Sequence, residues 1–152
     1  MSNRQYQILP PKDSAFLREA YLLAFVDTSC EHYKKYIGAR RQFSDGEHYT
    51  GYAWDCIRQP SRITYERFCH EVVHHPEVYA FADDHSRDRV ITAPLWPYPP
   101  YSLVALPPDL LLQLLPALPE DIYVFDSSVS WTVVLTHEHD DKRRYCLGVG
   151  IE

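Results

Sequence analysis

The chain has 152 residues, of which 45% are apolar and 24% charged, and its formal net charge is −6. This length suits one domain with a single real core, and the composition excludes a disordered chain, leaving only the first few residues expected to be flexible. The acidic balance repels phosphate backbones, so nucleic acid is not an expected partner.

In chain order, residues 13–26 read as a helix. Asp13 or Ser14 is placed to cap it, and Phe16, Ala20, Leu23 and Ala24 recur at helical spacing as its apolar stripe. Residues 31–48 are polar with a local basic run, Lys34, Lys35, Arg40 and Arg41, and are broken by Gly38 and Asp45-Gly46. Residues 49–57 alternate as a strand would. Pro60 and Pro76 bracket a second helix with Ser61 as its expected N-cap and Tyr65, Phe68, Cys69, Val72 and Val73 as its apolar stripe. Residues 77–82 read as a strand, followed by a charged loop from Asp83 to Arg89.

Eight of the 12 prolines fall between Pro94 and Pro119. Residues 94–101 must therefore be largely extended, since proline fixes its own φ and restricts its predecessor. A short helix is expected from Pro107 to about Leu115, stopped by Pro116. The stretch Leu110 to Leu118 is too short to span a bilayer and contains Gln113 and Pro116, so no membrane association is expected. The last third reads as three strands, 122–126, 131–139 and 144–149, joined by short turns. Alternation puts Trp131, Val133, Leu135 and His137 on one side, and Thr132, Val134, Thr136 and Glu138 on the other. The fold class that follows is α+β in a single domain, 1–152: an antiparallel sheet that includes a C-terminal β-meander, with helices packed on one face.

The sharpest motif is His70-Glu71-Val72-Val73-His74, the H-E-x-x-H pattern that sets two zinc-binding imidazoles on one helical face beside a general-base glutamate. With eight His and 21 acids in the chain, chance makes such a match easily. The apolar stripe of the same helix points away from both histidines, which places them toward solvent rather than in a walled cleft. The motif resembles that of the zincin metallopeptidases, whose helix continues past the second His; here His75-Pro76 ends it. Asp83, Asp84 and His85 are the available third ligands. His137 and His139 share a strand face and form a second His pair, with His137 read as the rim of the Trp131 face.

Cys30, Cys56, Cys69 and Cys146 form no C-x-x-C pair, and Cys69 lies on the apolar stripe, so these read as reduced, structural thiols of a cytoplasmic protein. The N-terminus has no apolar signal-peptide core. Five glycines form neither a dinucleotide nor a phosphate-loop pattern, and no cofactor and no catalytic set is expected. Asp126, just before Ser127-Ser128, is read as a structural turn carboxylate.

Residues Tyr123 to Asp126, Trp131-Thr132 and Thr136-His137-Glu138 together resemble the C-terminal signature of small bacterial cytosolic proteins of unknown function, with the overlap confined to residues 121–147. The resemblance implies a single cytosolic domain, and some groups of similar architecture act as immunity proteins that bind and neutralise a cognate toxin domain. The expectation is therefore a non-enzymatic, toxin-binding immunity protein, with a zinc hydrolase on His70, Glu71 and His74 as the alternative. Its partner surface is expected to combine acids and aromatics at Asp83, Asp84, Asp88, Trp96 and Tyr98.

Overall fold

The computed structural model describes residues 5–34, 41–42, 48–49, 52–83, 96–99, 101–140 and 143–151. Seven strands form one antiparallel sheet: β1 (Gln7–Ile8), β4 (Ser61–Ile63), β5 (Val78–Ala82), β6 (Val104–Leu106), β7 (Ile122–Phe125), β8 (Thr132–Asp140) and β9 (Arg143–Val149). Their order across the sheet is β1-β6-β5-β7-β8-β9-β4, while β2 (Arg41–Gln42) pairs only with β3 (His48–Tyr49). The expected meander is β7-β8-β9, paired Ile122 with Leu135 and Val134 with Leu147. The α+β class holds. Flexibility of the first residues, Gly38, and the Asp45-Gly46 break lie outside the described residues.

The helices are α1 (Pro11–Phe25), α2 (Tyr65–Val73) and α3 (Pro108–Leu114). Phe68 and Val72 of α2 and Leu111 of α3 share one face, packing on Val78, Ala80, Ile122, Val124, Val133 and Leu135, whereas Tyr65 and Val73, expected on the same α2 stripe, are 40% and 48% exposed at its margins. The other face carries Phe81, Tyr123, Phe125 and Val134, and it is covered by Tyr21 and Phe25 of α1 with a 3-10 turn at Ala53–Cys56. Two covered faces explain why all four residues of β7 are buried and apolar: Ile122 and Val124 point one way, Tyr123 and Phe125 the other.

Helix boundaries moved where tertiary pairing intervened. Ser61 does not cap α2, because Ser61–Ile63 pairs with β9 as an edge strand; Thr64 is the N-cap, its side chain accepting from Arg67 N–H at 3.0 Å. Of the strand expected over 49–57, the described residues show strand at His48–Tyr49 and a 3-10 turn at Ala53–Cys56. The N–H groups that a strand would have paired, those of Ala53 and Trp54, go to the Asp83 carboxylate and the Tyr123 hydroxyl instead. Pro116 sits within a 3-10 turn, Leu115–Ala117, that continues directly from α3.

The largest departure concerns α1. The expected apolar stripe faces solvent, with Phe16 72% and Leu23 67% exposed. Ser14, Tyr21 and Phe25, on the far side of the same helix, are buried. Polar satisfaction decides between the two stripes. Ser14 Oγ donates to Leu9 O and accepts from Leu103 N–H, tying α1 to the sheet edge. The Tyr21 hydroxyl pairs with Thr132 Oγ1 at 2.7 Å, and its ring meets Phe81 and Phe125 edge-on at 5.0 Å.

Candidate functional site

A polar and aromatic network lies under the turn that joins α1 to the sheet. Asp121, immediately before β7, is 3% exposed, and its Oδ1 accepts from Trp54 Nε1–H, His137 N–H and His137 Nδ1, each at 3.0 Å. A carboxylate can only accept, so the His137 ring carries a proton on Nδ1. The pairing of β8 with β9 shifts between Leu135 and His139. That irregularity corrects the expected alternation, since a break in register moves side chains between faces. His137 leaves the Trp131 side and lies on Tyr52, ring centroids 4.6 Å apart, and near Trp54 at 6.0 Å.

Next to this dyad, the Tyr123 hydroxyl donates to Asp83 and accepts from Trp54 N–H. Burial, then the neighbouring Asp83 charge, push the Tyr123 phenol well above its ordinary value. At the surface, Asp55 faces His32, with 3.7 Å between them. Partial burial raises the Asp55 carboxyl, His32 opposes this, and the charges of Glu138 and Asp83 add to it. Several carboxylates therefore converge around one aromatic floor. The network orients His137 Nε2 and presents Tyr52, Asp55 and Glu138 outward. No described nucleophile hydrogen-bonds to His137 as a catalytic pair would require.

Of the residues expected to meet a partner, the described ones, Asp83, Trp96 and Tyr98, do not form a common exposed surface. Asp83 is 6% and Trp96 8% exposed, so both are corrected to internal positions. Asp83 is held by Ala53 and Tyr123; the Trp96 indole donates to Ser102 Oγ at 3.2 Å. Tyr98 is half-buried between Trp96 and Tyr6. Asp84 and Asp88 lie outside the described residues.

His70 and His74 are exposed, as their place opposite Phe68 and Val72 requires, with ring centroids 4.3 Å apart. They do border a cleft, contrary to expectation: it measures about 510 Å³ and is also lined by Arg67, Glu71, His75, Trp131 and Ile151. Trp131 is buried, and His75 stacks on it at 4.0 Å. Arg67 Nε donates to Glu71 Oε1 at 2.7 Å, which engages one oxygen of the carboxylate that the motif would use as base. Among the described residues, no three His, Cys, Asp or Glu side chains are grouped to hold a metal ion. Of the third ligands named from sequence, Asp83 sits in the α1-side network, while Asp84 and His85 are outside the described residues.

No family model matches this chain, and no curated protein or solved structure matches it. The reading of its surface therefore rests on its own chemistry. The features that sequence reasoning missed are Asp121 and Tyr52, whose roles arise only when Asp121 meets Trp54, 67 positions away, and Tyr52 meets His137. The Trp54-Asp55 pair was visible, but it was read as part of a strand. No described helix is long and apolar enough to cross a membrane.

Proposed function

We propose that the chain is a non-enzymatic binding protein, most concretely a cytoplasmic immunity protein that neutralises a cognate bacterial toxin domain by direct contact. The observation that carries this reading is the outward stripe of α1, where Phe16 and Leu23 stand in water beside Ala20 and Ala24. Large apolar side chains grouped on a surface favour a partner that covers them, and an aromatic anchor with a polar rim is the usual anatomy of such an interface. Asp13, Glu19 and Glu31 are exposed on α1 and the segment after it, which suits a basic partner and speeds encounter. The likeness at residues 121–147 points the same way.

Co-expression of this chain with candidate bacterial toxin domains, taken first from any toxin gene found next to its own, tests the reading. The expected result is restored growth and a one-to-one complex by size-exclusion chromatography. The double substitution Phe16→Asp and Leu23→Asp should remove both effects without lowering the melting temperature. Failure of the wild-type chain to protect or to form a complex rejects the reading; protection that survives the double substitution rejects α1 as the surface.

The alternative is a zinc-dependent hydrolase using His70 and His74, supported by the cleft they border. The Arg67–Glu71 ion pair weighs against it, because a general base must be free to take a proton from water. Stoichiometric zinc after purification, lost in His70→Ala together with a hydrolytic activity, would replace the binding reading.

A further inference from the structure

Two of the four cysteines meet. Cys30, in the segment after α1, directs its thiol at Cys56 in the 3-10 turn, with 3.4 Å between sulfurs and 26 residues between positions. The backbone reinforces the approach: Asp27 N–H donates to Cys56 O at 2.8 Å, and Arg58 N–H donates to Phe25 O at 2.8 Å, clamping the two segments side by side. Disulfide formation needs the sulfurs to close to about 2.05 Å, a movement that side-chain rotation can supply once the backbones are already apposed. Cys30 is half-buried and Cys56 buried.

We propose that Cys30 and Cys56 form a redox-sensitive dithiol, a modification site that low-molecular-weight disulfides such as oxidised glutathione convert to an internal disulfide. Cys30 reacts first, because it is nearer solvent than Cys56. Its thiolate attacks one sulfur of oxidised glutathione, breaks the S–S bond and releases one glutathione thiolate, which takes up the proton Cys30 lost. Cys56 then loses its proton and attacks Cys30 Sγ in the mixed disulfide. That displaces the second glutathione, which leaves as a thiolate and is protonated in turn. The protein loses two electrons and two protons, and glutathione disulfide gains both. Burial, the largest cause that pushes the Cys56 thiol up, persists once Cys30 is in the mixed disulfide, so the second step is the slower one and a glutathionylated intermediate is expected. The bond would fasten the turn bearing Trp54 and Asp55 to the segment after α1, beside the polar network.

The test is to expose the folded wild-type chain to oxidised glutathione, block remaining thiols with an alkylating agent, and map the peptides by mass spectrometry. The expected product links the Cys30 and Cys56 peptides, leaves Cys69 and Cys146 alkylated, and reverts with dithiothreitol. A transient glutathione adduct on Cys30 should precede it. In Cys56→Ser that adduct should persist and no internal link should form. Wild-type protein that keeps both Cys30 and Cys56 alkylated while Cys69 is consumed would overturn the proposal. So would a stable Cys30 adduct that never resolves. The readout needs no partner protein, so its outcome is independent of the immunity reading.

Discussion

The Tyr123 hydroxyl donates to the Asp83 carboxylate at the floor of the α1-side core, and the same oxygen accepts from Trp54 N–H. One phenol thus joins β7, the end of β5 and the 3-10 turn. Tyr123→Phe keeps the ring stacked on Phe81 but leaves a buried carboxylate short of a donor and a buried N–H without an acceptor. The expected loss is about 2–4 kcal/mol in denaturant titration, above the ordinary value of a hydrogen bond because both orphaned groups stay buried. A loss under about 1 kcal/mol would mean that water replaces the hydroxyl.

Trp131 is 5% exposed and packs in the core beneath α2 and α3 while His75 stacks on its ring. Trp131→Ala should cost about 3–5 kcal/mol, the value for deleting a core aromatic. Its indole nitrogen points toward the Asp126 carboxylate without meeting hydrogen-bond geometry among the described residues, so Trp131→Phe should recover most of that loss. Equal melting temperatures for the two variants would contradict the packing role.

Asp126 closes the turn after β7, accepting from Ser128 N–H at 3.0 Å and Ser128 Oγ at 2.5 Å, with His75 Nδ1 3.5 Å away. Partial burial pushes its carboxyl up, but the Ser128 bonds, the nearby Trp131 indole and His75 outweigh this and hold it below the ordinary value. A depressed folded-state pKa stabilises the fold above the unfolded value and is lost as pH falls through the folded one. The advantage of wild type over Asp126→Asn should therefore be full at neutral pH and fade below about pH 4. A difference that does not change with pH would show that the carboxylate charge is immaterial.

Asp55 carries the opposite sign. Partial burial and the charges of Glu138 and Asp83 raise its pKa despite His32, so its ionised form is penalised in the fold. Asp55→Asn should be more stable than wild type at pH 7 by about 0.5 kcal/mol or less, given solvent screening, and the gain should vanish below about pH 4. Thermal melts at both pH values decide this, and a destabilised variant at neutral pH would reverse the electrostatic account.

Thr64 caps α2 through Arg67 N–H. Thr64→Ala should cost about 1 kcal/mol, and Ser61→Ala, on the exposed edge strand, almost nothing. If Ser61→Ala proved the costlier change, the N-cap would have to be moved back to residue 61.

By itself the sequence determined the α+β class, the meander over 122–149, the α2 stripe around Phe68 and Val72, the turn role of Asp126 and the burial of Trp131, since each follows from local periodicity or turn chemistry. Only the tertiary structure decided which side of α1 is buried. Phe16 and Leu23 stand at the same helical spacing as Ser14 and Tyr21, and the choice rests on Ser14 and Tyr21 finding hydrogen-bond partners at Leu103 and Thr132, 89 and 111 positions away. The same holds for Ala53–Cys56, which forms a 3-10 turn because Asp83 and Tyr123 take its N–H groups. It holds for His137 as well, whose ring changes face because Asp121 accepts the backbone N–H at that position. In each case a buried polar group had to be satisfied by a residue remote in the chain, and periodicity along the sequence carries no record of such partners.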